Sequence, residues 1–393
     1  MRKIKLRPVL LIALIFIQCS IDDVSNEFVE EMNVGKSDEV SVLTNTDNKD
    51  TSQTSFNHQA MLMNWADNII IPSLSGFESS LSELKTKASE YTSYPNAETL
   101  SVLRAVWLDS YLKWQHVEMF DIGTAEEIYF KNRINLFPAN IDRIESNIAN
   151  QEYDLDQSSN FTSQGFNSLD YLLFGLGEND NAINDKYASE NSNYSKYLIE
   201  VIDKMIALTS EIKEGWNEEF RNSFINSTEN TSTSSVNMVL NDFIFYFEKG
   251  FRANKVGIPS GVFSDLPLPD RVEAYYSKKH SRLLALEANK AIRNFFNGKY
   301  YEDNEQVGLS VRDYLDYLES DEETKLSDKI NNQLDSIDSK LNSLNPDFTQ
   351  QIIQDNLAML YAFDVIQANV VLLKVDMLQK LNINVDYADA DGD

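Results

Sequence analysis

Asn167 and Asp170 are the residues whose type and spacing first point to chemistry. They lie three apart in the run GFNSLDYLLFG, Gly165 to Gly175. On a helix that spacing puts both on one face, beside a dense apolar patch. A neutral amide oxygen and a carboxylate are hard donors. With further carboxylates they suit an oxygen-ligated cation, iron or calcium, and they are poor ligands for tight zinc binding. Without such partners the pair reads as a polar contact between helices. Glu118 is the second candidate. It falls on one stripe with Leu100, Leu103, Trp107, Tyr111 and Trp114, where an isolated charge is costly. It therefore needs a partner such as Arg133, Lys255 or a cation. Asp364 stands in the same position on the last long helical pattern.

Other chemistries find little support. His58 and His116 have no acidic or histidine neighbour on their own helix face. His280 lies seven residues from both Glu273 and Glu287, about 10 Å along a helix in each direction, too far to clamp one ion. The pattern H-E-x-x-H is absent. Ser260 sits in GIPSG, which is not a nucleophile elbow. The closing Asp389–Asp393 resembles the start of a calcium loop but stops before the bidentate glutamate. It reads as an acidic tail.

The elements that must position these residues are helices. Glycine and proline number only 13 and 8 in 393 residues, and no strand alternation competes with the helical period. Helices are predicted over about 57–90, bent at Pro72, and over 97–120, from 165, and over 193–224, 236–253, 269–297, 309–319, 324–343 and 347–381. On the last, Ile353, Leu357, Leu360, Asp364, Ala368, Val371, Val375 and Leu378 form one predicted inward face. Residues 1–18 read as a signal peptide, basic and then apolar. The only cysteine, Cys19, follows it as a lipidation site, and 19–55 reads as a polar tether. A polar link at 226–235 separates an N-terminal helical bundle, 56–225, from a C-terminal one, 236–393. The formal charge of −28 argues against nucleic acid as a partner.

The Gly165–Gly175 run resembles the motif of imelysin-like proteins, written G-x-H-x-x-E, with Asn167 at the histidine position and Asp170 at the glutamate position. LRAVWLDSYLKWQHVEMFDIG from Leu103, RINLFPANID from Arg133, KVGIPSG from Lys255, VEAYYS from Val272 and the closing LQKLNINVDYADADGD from Leu378 are similar to further landmarks of that family, in order. The resemblance implies an all-α fold of two helical bundles related by a pseudo-twofold. It implies a pocket at their interface that Asn167, Asp170, Glu118, Arg133, Lys255 and Ser260 would line, with Asp170 and Glu118 as metal ligands. It further implies a lipoprotein of the outer membrane, of the kind found in Bacteroidetes, anchored through Cys19 and working with iron-uptake components. A non-enzymatic accessory role in iron or metal acquisition is the reading it favours. A metal-dependent peptidase and a polysaccharide-binding lipoprotein are the alternatives.

Overall fold

Asparagine, scattered through this chain as a helix-poor residue, marks where helices begin. Asn57, Asn96, Asn140, Asn179 and Asn217 each turn a side-chain oxygen onto the free N–H groups of a helix start. Asn96 completes a capping box with Thr99. The computed structural model describes residues 55–189, 192–303 and 305–385. The expected signal peptide, Cys19, the tether and the acidic tail lie outside them. From Ser55 the described chain forms one compact unit. It is built of helices, and no strand occurs among the described residues beyond a single bridge between Lys299 and Val307.

In the first half Ile71–Ser93 packs on both Ala97–Trp114 and Asn193–Gly215, and in the second Leu326–Asn342 packs on both Ser281–Phe296 and Phe348–Val371. Between Asn226 and Ser235 the chain runs as a loop. Trp65, Trp107, Trp114, Tyr91, Tyr111 and Phe77 are wholly enclosed and are among the largest side chains of the core.

Several expected helices change form where they carry the site. Ahead of Pro72 the first helix widens to π geometry over Trp65–Ile70 and returns to α form over Ile71–Ser93, with the proline in its first turn. The second helix ends at Trp114. Glu118 sits in the following turn, its N–H bonded to the Trp114 carbonyl at 3.0 Å. The pattern over 269–297 becomes a helix only at Ser281. Before it the chain is irregular, with positive φ at Ala274 and Lys278. The segment Tyr246–Gly257 is π-helical, as is Tyr171–Gly175 directly after Asp170.

The last helix corrects the sequence reading. Ile353, Leu357, Asp364, Ala368, Val371 and Val375 face outward, while Ile352, Met359, Ala362, Phe363, Ile366, Val370, Leu373 and Met377 are buried. The helix is apolar on two sides, so helical spacing alone could not choose between them. By length and composition Phe348–Leu381 would suffice to cross a membrane. In the fold, one face of it is core.

Candidate functional site: a carboxylate pair bridged by lysine

Lys255 is the centre of the site. Its π-helix carries it into the interior, where its side chain is almost fully enclosed. The ammonium donates to both oxygens of Glu273, at 2.8 and 2.7 Å, and lies 3.5 Å from Oε2 of Glu118. Asn135 links the same two carboxylates from the other side: its Nδ2 donates to Glu273 at 2.8 Å and to Glu118 at 3.2 Å. Its Oδ1 accepts from the Tyr111 hydroxyl at 2.6 Å and from Nδ2 of Asn167 at 2.8 Å. Asn167, Asn135, Tyr111, Glu118, Glu273 and Lys255 thus form one connected network from five separate stretches of chain.

Two charges of one sign beside one of the other set the electrostatics. Burial pushes the Glu118 carboxyl up, and Lys255 pulls against that. Burial alone would lower the Lys255 ammonium, but Glu118 and Glu273 outweigh it and hold it above its usual value. The Tyr111 phenol is driven far up by burial and then by the same carboxylates, so it stays a neutral donor.

Gly165 makes the contact between Asn167 and Asn135 possible. Its φ is +76°, and a Cβ there would come within 2.2 Å of the Ile134 carbonyl oxygen. Only glycine lets the 165–170 helix start so close to this backbone.

Asp170 does not join the network. Its two oxygens accept the backbone N–H groups of Tyr276 at 2.7 Å and Ser277 at 3.0 Å, pinning the irregular segment that also presents Glu273. Burial, opposed by these N–H groups, pushes its carboxyl up to about 7. Asp170 and Asn167 line a cavity of 170 Å³ with Tyr275 and Tyr276. Glu118 and Asn135 line a different one, of 210 Å³, with Asp121, Lys131, Tyr246 and Lys249. The expected single pocket is therefore two cavities, with Asn135 and Asn167 hydrogen-bonded between them. Asp170 and Glu118, expected to share a cation, open onto separate spaces.

Arg133 and Ser260 point elsewhere. Arg133 pairs with Asp156 and lies 5.4 Å from the Phe161 ring centre. The Ser260 hydroxyl donates back to the Val256 and Gly257 carbonyls. Asp364 is on the surface. Among the described residues no group of three or more His, Cys, Asp and Glu is placed to hold a metal ion. His116, in the turn after Trp114, has a partner that helix-face reasoning could not find: Nε2 sits 2.7 Å from Oε1 of Glu287 on the helix Ser281–Phe296. Glu273, Asn135, Tyr111 and Tyr246 were also missed as site residues. For Asn135 and Glu273 the signal lay in RINLFPANID and VEAYYS, segments whose local pattern does not say which side chains turn inward.

An all-helical protein with a buried lysine-bridged carboxylate pair is the class that fold and site define. The imelysin family model, which carries a peptidase label, matches residues 70–362. The chain belongs to the imelysin family. Two solved structures share its fold. An imelysin-like protein from Psychrobacter arcticum 273-4 superposes with a TM-score of 0.66 at 18% identity, covering 84% of this chain and 97% of its own. A protein described as an iron-regulated protein A precursor, from Parabacteroides distasonis ATCC 8503, gives 0.66 at 17%, covering 82% and 95%. No functionally curated protein matches the sequence.

Proposed function

We propose that this chain is a non-enzymatic accessory binding protein of the cell envelope that serves iron acquisition. We further propose that it recognises an iron chelate rather than a bare ion. The observation that carries the reading is Lys255. Its ammonium already stands between Glu118 and Glu273, at the position a hydrolytic metal with its activated water would need. A chelate needs no open coordination set. It needs a wall of mixed charge and amide groups, and the 210 Å³ cavity beside Glu118 offers Asp121, Lys131, Asn135 and Lys249. The relative described as iron-regulated supports the choice of iron.

Calorimetry with ferric citrate, zinc and calcium tests this. Ferric citrate should bind, weakened by Lys131→Ala, while zinc and calcium bind weakly. Nanomolar zinc affinity lost in Asp170→Ala, or metal-dependent cleavage of casein, would reverse it. The anchor is a separate proposal: Cys19 carries the lipid that holds the protein at the outer membrane. Cys19→Ala should release the protein from the membrane fraction, and a wild type that takes up no labelled fatty acid refutes the anchor.

A further inference from the structure

The outward stripe of the last helix is a long apolar face left open to solvent, and its spacing specifies what would cover it. Ile353, Leu357, Tyr361, Val371 and Val375 are 47 to 63% exposed, and Asp364 and Ala368 stand on the same side. From Leu357 the positions 357, 361, 364, 368, 371 and 375 alternate steps of four and three. That is the seam of a coiled coil, and it calls for another helix lying along it. Half-buried Leu360, Val365 and Leu372 flank it. The opposite face, with Met359, Ala362, Ile366, Val370 and Leu373, is already packed in the core.

Charge and area say which helix. The chain carries −28, yet residues 356–375 hold one acid, Asp364, and one base, Lys374, already paired with Glu248. A second copy is repelled over most of the surface and least along this stripe. Each of the five exposed side chains offers on the order of 100 Å², so one face with its flanks gives about 600 Å² and a symmetric pair about 1,200 Å², the size at which stable interfaces begin. A bilayer would have to take the Asp364 carboxylate in the middle of the stripe.

Direction follows from the side chains. A parallel pair in register sets Asp364 on Asp364 and Tyr361 on Tyr361. An antiparallel pair about a twofold sets Leu357 opposite Val375, Tyr361 opposite Val371 and Asp364 opposite the small Ala368. The second copy's Tyr361 and Leu357 then enter the largest cavity of the described residues, a groove of 710 Å³ with apolar walls at Val371, Val375, Ile383 and Val385.

We propose that the stripe from Leu357 to Val375 is the interface between two copies of this chain, paired antiparallel about a twofold. This inference does not rest on the proposed iron role.

The test uses the chain from Ser20, which keeps the whole compact unit from Ser55 and carries no cysteine. Sedimentation at about 50 µM should give twice the mass of one chain. Leu357→Glu should raise the dimer dissociation constant by about tenfold or more. Val102→Glu, at an exposed apolar position of the helix Ala97–Trp114, should leave it unchanged. Both variants should keep the wild-type melting temperature. Disulfides read the register: Leu357→Cys and Val375→Cys chains, mixed and oxidised, should cross-link to each other. Neither should cross-link to itself, because like positions stand about 27 Å apart along the antiparallel pair. A wild type that stays monomeric overturns the proposal, and so does a dimer indifferent to Leu357→Glu. Self-linking of Leu357→Cys would show a parallel pair and overturn the stated arrangement. Binding of wild type, but not Leu357→Glu, to phosphatidylcholine vesicles in place of dimerisation would make the stripe a lipid face. A dimer seen only for a chain starting at Ser55 would mean that the chain's own N-terminal segment covers the stripe, and the proposal fails.

Discussion

Glu118 and Glu273 on one side, and Asp170 on the other, are carboxylates in the interior that the fold satisfies in different ways. The pair is held by a charge, the ammonium of Lys255, brought from a distant helix. Asp170 is held by dipoles, two backbone N–H groups of one turn. A buried ion pair is sensitive to the loss of either member. Burial, against the pull of those amides, raises the Asp170 carboxyl to about 7, so it titrates near neutrality.

Removing the charge should do the greater damage. Lys255→Met leaves two buried carboxylates with only Asn135 between them and should cost about 3–5 kcal/mol in denaturant unfolding. A loss under 1 kcal/mol would mean that the pair is solvated and the comparison fails. Asp170→Asn keeps shape but turns an amide N–H₂ toward backbone donors, and should cost about 1–3 kcal/mol. Its pH dependence has a definite sign. The folded carboxyl titrates at about 7 against an ordinary 3.8, so the folded state holds the proton more tightly. The stability this group contributes is present below about pH 4 and is lost as pH rises through 7. The gap between wild type and Asp170→Asn should therefore narrow from pH 4 to pH 8. A gap that widens puts the carboxyl on the other side of its ordinary value. Glu118→Gln is the mildest change. Lys255 keeps Glu273 as its counter-charge and its contact with Glu118 is the longest of the set, so about 1 kcal/mol or less is expected. A cost equal to that of Lys255→Met would place Glu118, not Glu273, as the principal partner.

The helical class was legible because breakers are few and the periods long. Pairing Glu118 with Lys255 was within reach, since a charge among Trp107, Tyr111 and Trp114 demands a partner. Which cation would answer was not legible: Arg133 and Lys255 were equal candidates, and only the fold turns Arg133 to Asp156. Glu273 escaped because its segment read as helix, whereas the chain there is bent to reach Asp170. Asn167 and Asp170 do share a short helix, as their spacing required. Their partners, Asn135 and the 276–277 turn, are more than thirty and a hundred residues away, beyond any local pattern. On the last helix, Leu357 and Met359 are both good core residues by type. The first is 53% exposed and the second fully buried, a choice made by packing alone.

The central claim is that Lys255, and not a metal ion, joins Glu118 to Glu273. Anomalous diffraction from crystals soaked in ferric, zinc and calcium salts tests it most directly. The Lys255 ammonium should stand between the two carboxylates, with no anomalous peak within bonding distance of either. A metal peak at that position, with the lysine side chain displaced, would contradict it.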